Sequence, residues 1–175
     1  MAIDGVARRQ SSAVRGERVV GGAFAAGALL LGGEAAVHVQ QYVTVVYGVR
    51  WIGPLFVANA IACVAAVVGL AFARTRPFAA LAGIVTSAGA LASLVVSYGR
   101  GLFGFYEAGF RAAIALAVIT ELGAVVLLSA ALAATTALVR ARETQAKSRP
   151  DDEVLRPATP AESRQRGREE MSELT

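Results

Sequence analysis

Three ionisable side chains interrupt the longest apolar stretches of this sequence: Glu34 and His38 in the first stretch, and Glu121 in the last. Glu34 and His38 are four residues apart, so in a helix both side chains point from one face. An ionisable group within a membrane span costs several kcal/mol unless it is paired, and it is therefore a functional candidate by default. Two carboxylates and one imidazole suit either a proton or a hard or borderline metal ion.

The positions of these residues along their apolar stretches predict one polar layer. Glu34 lies about seven residues from the end of the first stretch, Asn59 about seven from the start of the second, and Glu121 about eight from the start of the fourth. At about 1.5 Å per helical residue, the three side chains have nearly the same depth. Ser93 of the third stretch lies nearby, and His38 lies one turn further out. All four helices can therefore contribute to this layer.

The polar layer has three interpretations. In the first, Glu34 pairs with His38 or Asn59, and the layer only specifies how the helices pack. In the second, Glu34, His38 and Glu121 bind a divalent metal ion, as carboxylate and imidazole groups do inside four-helix bundles. The single histidine and the lack of a Glu-x-x-His repeat weigh against this interpretation. In the third, the layer binds a proton or a small polar ligand on a path from the outer side.

The segment between the third and fourth stretches adds polar groups close above the layer. Glu107 is either a further ligand or the ion-pair partner of Arg100 or Arg111, and we expect the ion pair. The run 99–104 also matches the G-x-G-x-x-G pattern of dinucleotide-binding proteins. That pattern requires a preceding strand and a following helix, whereas here it follows an apolar span. We therefore expect its glycines to shape a turn.

Four apolar stretches must position these side chains. Each has about the 20 residues that a helix needs to cross a hydrocarbon core about 30 Å thick. Small residues at four-residue spacing recur within the stretches, and such residues let helix backbones approach closely. We therefore predict an all-α fold, an integral membrane four-helix bundle with an up-down-up-down arrangement. The predicted spans are residues 19–41, 52–73, 78–98 and 113–139, which together form a transmembrane domain over 19–139.

The charged residues flank the apolar stretches and predict the orientation. Of the 17 basic residues, only Arg50, Arg100 and Arg111 fall on the side opposite the N-terminus. Because cytoplasmic loops carry an excess of basic residues, we expect both termini in the cytoplasm, with residues 1–18 as a basic N-terminal segment. Residues 140–175 hold several prolines and equal numbers of acidic and basic residues, so we predict a disordered cytoplasmic tail.

Composition narrows the class of protein further. A pI of about 9.8 suggests nucleic acid binding, but the basic residues form no stripe with interleaved aromatic residues, so we expect a lipid bilayer and no nucleic acid. All basic residues except Lys147 are arginine. Together with abundant Ala, Val and Gly, this indicates a GC-rich bacterial genome and a bacterial cytoplasmic membrane. Cys63 is the single cysteine, so it forms no intrachain disulfide, and we expect a small core residue.

The sequence contains no Walker A, nucleophile-elbow or zinc-protease motif, which favours a non-enzymatic role. Our first hypothesis is an accessory or assembly partner of a larger membrane complex, which associates with other membrane proteins or with copies of itself. The alternative is a metal- or proton-binding or transport protein built on the polar layer, with a divalent metal ion as its cofactor. Its predicted site residues are Glu34, His38 and Glu121, with Asn59, Ser93 and Glu107 as supporting polar groups. A quinone- or lipid-associated redox subunit is a third hypothesis, and it would require an added cofactor.

Overall fold

The computed structural model describes residues 2–107, 109 and 111–154, and these residues are almost entirely helical. The helices are α1, Ala2–Gln41, followed directly by a π-helix, Tyr42–Val46; α2, Ile52–Ala71; α3, Arg76–Gly99; and α4, Ala112–Val154. Within the described ranges there is no β-strand, and one isolated bridge joins Leu102 to Phe105. The prediction of an all-α protein is confirmed.

Four helical segments are long and apolar enough to cross a membrane, and four is the number of spans that the sequence predicts. The segments are Val14–Val46, Ile52–Ala71, Arg76–Gly99 and Ala112–Thr144. The second and third segments agree with the predicted spans to within about two residues. Because a helix satisfies its own backbone hydrogen bonds, each segment is suited to a hydrocarbon environment.

Two helices extend beyond the predicted spans. α1 begins at Ala2, so most of the basic N-terminal segment is helical. α4 continues to Val154, although the sequence predicted disorder from residue 140 onward. Residues 140–147 are mostly Ala, Arg, Glu, Gln and Lys, which are strong helix formers, and this composition accounts for the helix over these eight positions. Residues 155–175 of the predicted tail lie outside the described residues.

The chain divides into two compact units, Met1–Thr135 and Thr136–Thr175. The described part of the second unit is helical over residues 136–154. The first unit contains α1, α2, α3 and most of α4, and every residue of the predicted polar layer belongs to it.

The connection between α2 and α3 is short and closely bonded. The Thr75 hydroxyl donates a hydrogen bond to the carbonyl oxygen of Gly69 at 2.7 Å, and the Arg76 Nε donates one to that of Leu70 at 3.0 Å. The last carbonyls of a helix lack partners within the helix, so these two side chains complete the end of α2. Pro77 lies in the first turn of α3, where the missing N–H breaks no helical bond.

An apolar core holds the first unit together. Its buried residues are Phe24, Leu31, Ala35, Ala60, Cys63, Ala66, Leu70, Ala79, Ala80, Ala124, Leu128 and Ala131. Gly83 lets two of the leucines meet α3, because a Cβ there would lie 2.9 Å from the Leu31 Cδ1 and 3.0 Å from the Leu128 Cδ1. Helices in lipid associate through such close contacts between small residues and their neighbours. Cys63 is fully buried in this core, as predicted.

The loop after α3 folds back over the end of that helix. Leu102 and Phe105 exchange backbone hydrogen bonds of 2.8 and 2.9 Å, which close a tight turn. Gly101 begins this turn with a φ of 76°, a conformation that favours glycine. The Glu107 backbone N–H then donates to the carbonyl oxygen of Ser97 at 3.3 Å. The glycines therefore shape a turn that carries Glu107 to the end of α3.

Candidate metal centre

Glu34 is fully buried on α1, and both of its carboxylate oxygens accept hydrogen bonds from other helices. Asn59 on α2 donates from Nδ2 to Oε1 at 3.0 Å, and Ser87 on α3 donates from its hydroxyl to Oε2 at 2.6 Å. Bonds from neutral donors stabilise a buried carboxylate and fix its orientation. Glu34 therefore links three helices through one side chain.

His38 lies one turn after Glu34 and is buried beside it. Its Nδ1 lies 3.0 Å from the backbone carbonyl oxygen of Glu34. A carbonyl oxygen can only accept a hydrogen bond, so Nδ1 carries the proton and donates it. In the neutral imidazole this leaves Nε2 with a free lone pair, and Nε2 lies 3.8 Å from Oε1 of Glu121. Metal-binding histidines are oriented by this kind of bond from the other ring nitrogen.

Glu121 on α4 differs from Glu34 in its surroundings. The residue is only 2% exposed, and its Oε2 has no hydrogen-bond partner among the described residues. Buried polar atoms are almost always bonded, so an unbonded carboxylate oxygen needs an explanation. A proton, a water molecule or a bound cation can supply the partner that this carboxylate oxygen lacks.

The three predicted ligands come together in space. Glu34, His38 and Glu121 each present one ligand atom, and these atoms all lie within 4.8 Å of one another. A zinc ion lies about 2.0–2.2 Å from nitrogen and oxygen ligands, so three ligand atoms around it are roughly 3–4 Å apart. Small side-chain movements would therefore close the cluster around an ion.

The supporting residues take different positions. Asn59 bonds Glu34, whereas the exposed Ser93 donates its hydroxyl proton to the Gly89 carbonyl oxygen of its own helix. Glu107 accepts a hydrogen bond of 2.8 Å from the Arg111 Nη2 in an ion pair. Ser87 is one of the small residues at four-residue spacing that the sequence analysis treated only as packing residues, and its bond to Glu34 was missed. The four-residue step from Gly83, on the buried face of α3, is the signal that could have identified it.

A cavity of about 410 Å³ adjoins the cluster. His38, Asn59, Glu107 and Glu121 are among the residues that line it. The remaining lining is mostly apolar and comes from all four helices and from the loop after α3. The buried carboxylate of Glu121 is therefore connected to a space large enough for a small molecule.

The fold and the site together define a multi-pass helical membrane protein with a buried Glu–His–Glu cluster. No protein-family model matches the chain, and no match was found among curated proteins or solved structures. The geometry of the cluster and of its cavity therefore carries the functional argument.

Proposed function

We propose that the protein binds a divalent transition-metal ion within the membrane, held by Glu34, His38 and Glu121. The observation that carries the proposal is the convergence of three buried ligand atoms within 4.8 Å, one of them on the carboxylate whose second oxygen is unbonded. This proposal puts the alternative drawn from the sequence ahead of the accessory role.

Charge balance supports a divalent ion. Glu34 and Glu121 carry two negative charges when both are ionised, and His38 is neutral when Nδ1 donates its single proton. Isolated charges in a low-dielectric interior are strongly unfavourable, and a divalent ion neutralises this pair. A mixed carboxylate and imidazole donor set suits zinc, iron, manganese or cobalt.

The groups around the ligands support the same proposal. Asn59 and Ser87 hold the Glu34 carboxylate, and the Glu34 carbonyl oxygen holds the His38 ring. Hydrogen bonds to the ligands of a metal fix their orientation, and their loss commonly weakens binding by about 10- to 100-fold. In this chain such hydrogen bonds orient two of the three proposed ligands, Glu34 and His38.

Metal content provides the test. Tag-free protein in lipid nanodiscs would be stripped with a chelator, reloaded separately with Zn²⁺, Mn²⁺ or Co²⁺, and assayed by elemental mass spectrometry. We expect about one ion per chain for at least one metal, and a loss of roughly 90% in His38→Gln and Glu121→Gln. Glu143→Gln is the matched control, because Glu143 is exposed on α4. Equal metal content in wild type and Glu121→Gln would contradict the proposal and leave a proton as the cation of the cluster.

The accessory role is the second candidate, and one observation favours it. Both oxygens of Glu34 already accept hydrogen bonds from Asn59 and Ser87, so this part of the layer can hold helices together without a ligand. The triple variant Glu34→Leu/Asn59→Leu/Ser87→Ala replaces the whole bonded group with apolar atoms. If it keeps the stability of wild type and the same co-purifying membrane proteins, the layer serves packing alone. Association with such partners or with further copies of the chain stays a prediction.

We also propose the orientation that the arginines predict, with an up-down-up-down bundle in a bacterial cytoplasmic membrane and both termini in the cytoplasm. The support is the small number of basic residues, Arg50, Arg100 and Arg111, on the opposite side. A phosphatase or fluorescent reporter fused after Thr175 tests it. The fluorescent fusion should be active and the phosphatase fusion silent, and the reverse pattern would contradict the orientation.

A further inference from the structure

Several residues that line the cavity beside the cluster are exposed on α2 and on α3. Leu55 on α2 and Val85 on α3 both line it, and they are 45% and 64% exposed. Ala58 and Gly89 also line the cavity and are exposed. All four residues lie within segments long and apolar enough to cross a membrane, so in a bilayer we expect this side of the cavity to face hydrocarbon. A molecule dissolved in the lipid can reach the cavity directly.

The lining of the cavity favours a molecule with an apolar body. Apolar residues form most of the wall, and the larger ones include Val37, Ile52, Phe56, Leu94, Leu102 and Phe105. The volume of about 410 Å³ lies within the range of about 300–1,000 Å³ that is typical of small-molecule sites. A bare metal ion needs only a small fraction of this space, so the metal site alone does not account for the cavity.

The polar part of the cavity favours a positive charge. Glu121 contributes a buried carboxylate whose Oε2 has no hydrogen-bond partner among the described residues. Neither arginine nor lysine lines the cavity in the part of the chain that the structure describes, and Glu107, which does line it, is neutralised by its ion pair with Arg111. The ring of Phe56 lies 5.0 Å from that of His38, so an aromatic face is also close to this end. Carboxylates and aromatic faces both attract organic cations.

We infer that the cavity binds a lipophilic organic cation, with its apolar body between α2 and α3 and its positive charge against the Glu121 carboxylate. This inference goes beyond the proposed function, because it concerns the protein without its metal. The organic cation and the metal ion use the same carboxylate, so each excludes the other.

Two probes of matched size and opposite charge test the inference. Tetraphenylphosphonium and tetraphenylborate would be titrated into metal-stripped, full-length protein in nanodiscs, with empty nanodiscs as the correction for partition into lipid. We expect saturable binding of the phosphonium and none of the borate. Equal binding of both ions would overturn the role of the carboxylate, and absence of saturable phosphonium binding would overturn the inference as a whole.

Two variants locate the site. Gly89→Phe places a large ring at the exposed side of the cavity, and a Cβ at Gly89 meets no atom within 4 Å, so the helix tolerates the change. Gly32→Phe is the matched control, because Gly32 is equally unobstructed but does not line the cavity. We expect the phosphonium affinity to fall at least about tenfold in Gly89→Phe and in Glu121→Gln, and to be unchanged in Gly32→Phe. Wild-type affinity in Gly89→Phe would place the binding outside the cavity and overturn the inference.

The results separate this inference from the proposed function. Zn²⁺ should displace tetraphenylphosphonium from the wild-type protein. The amount displaced should be proportional to the amount of Zn²⁺ bound, with both measured on the same samples. Stoichiometric metal without phosphonium binding would overturn only the inference. Phosphonium binding without any metal would support the inference and contradict the proposed metal site.

Discussion

Gly83 and Gly89 lie six residues apart on α3 and have opposite surroundings. A Cβ at Gly83 would meet Leu31 and Leu128 at about 3 Å, whereas a Cβ at Gly89 would meet no atom within 4 Å. Gly83 belongs to the region of the apolar core, and Gly89 lines the cavity. A glycine therefore allows close helix packing where a leucine of another helix fills the space beside it, as at Gly83. Where no side chain fills that space, as at Gly89, the glycine borders a cavity.

The two regions also use different forces. In the apolar core, helices meet through close contact between leucines, alanines and glycines, because lipid supplies no hydrophobic drive for their association. In the polar layer, Glu34, Asn59 and Ser87 join three helices by hydrogen bonds, while Glu121 remains open to the cavity. We expect the apolar core to supply the stability that allows the layer to keep an unbonded carboxylate.

Leu128→Ala should produce the largest loss in the free energy of unfolding, because it removes packing contacts from the apolar core. Leu128 is fully buried, and its replacement by alanine would leave an empty space between α1, α3 and α4. Buried Leu→Ala changes cost about 2–5 kcal/mol in soluble proteins, and we expect a loss near 2 kcal/mol in lipid, where only packing is lost. Reversible unfolding in mixed micelles measures the free energy of unfolding. Leu122→Ala, at a lipid-facing position on the same helix, is the control and should change little. Equal losses for both variants would remove the distinction between the core and the lipid-facing surface.

Gly69→Ala should have an intermediate effect by overpacking the core. The new Cβ would lie 2.7 Å from the Ala79 Cβ, and neither atom can move without its backbone. Overpacking typically costs about 1–3 kcal/mol, and we expect about 1 kcal/mol for this single methyl group. The reciprocal variant Gly69→Ala/Ala79→Gly should recover most of the loss in the same unfolding measurement. Gly89→Ala, at the cavity, should be neutral, and a comparable loss there would mean that the cavity is closed.

Ser87→Ala should have the smallest effect, because it removes one bond from the polar layer. Hydrogen bonds between membrane helices contribute about 0.6 kcal/mol on average and up to about 1.7 kcal/mol. Ser93→Ala is the matched control, because the Ser93 hydroxyl bonds only its own helix among the described residues. A loss of several kcal/mol for Ser87→Ala would show that the layer, and not the core, dominates the stability of the bundle.

The fold was largely predictable, because uninterrupted apolar length is a direct consequence of bilayer thickness. The second span illustrates this, since Ile52 begins both the predicted span and α2. The length of α4 was missed because the abundance of charge and the prolines beyond Val139 outweighed the helix propensity of residues 140–147. Helix propensity favours a helix over residues 140–147, whereas the charge and the prolines of the tail favour disorder. Only a comparison of the two free-energy contributions could have predicted where α4 ends.

The sequence predicted the depth of the candidate site residues in the bundle, but it did not predict which face of its helix each residue occupies. Counting residues brought Glu34, Asn59 and Glu121 to one level, and the structure does bring Asn59 and Glu34 into contact. Height along a helix does not specify which face a side chain occupies, so Ser93 was selected where Ser87 makes the bond. The cavity was not predictable, because an empty space depends on the placement of whole helices and leaves no pattern in any one of them.

The hydrogen bonds of Glu34 bear on how the protein is synthesised. The first helix enters the membrane before α2 and α3 have been made, so Glu34 then lacks both Asn59 and Ser87. An unpaired acid makes a nascent helix costly to retain in lipid. We therefore expect the insertion of α1 to remain reversible until the third helix has been synthesised. A chain that stops after Ala71 would lack the Ser87 bond and should be a substrate for membrane proteases.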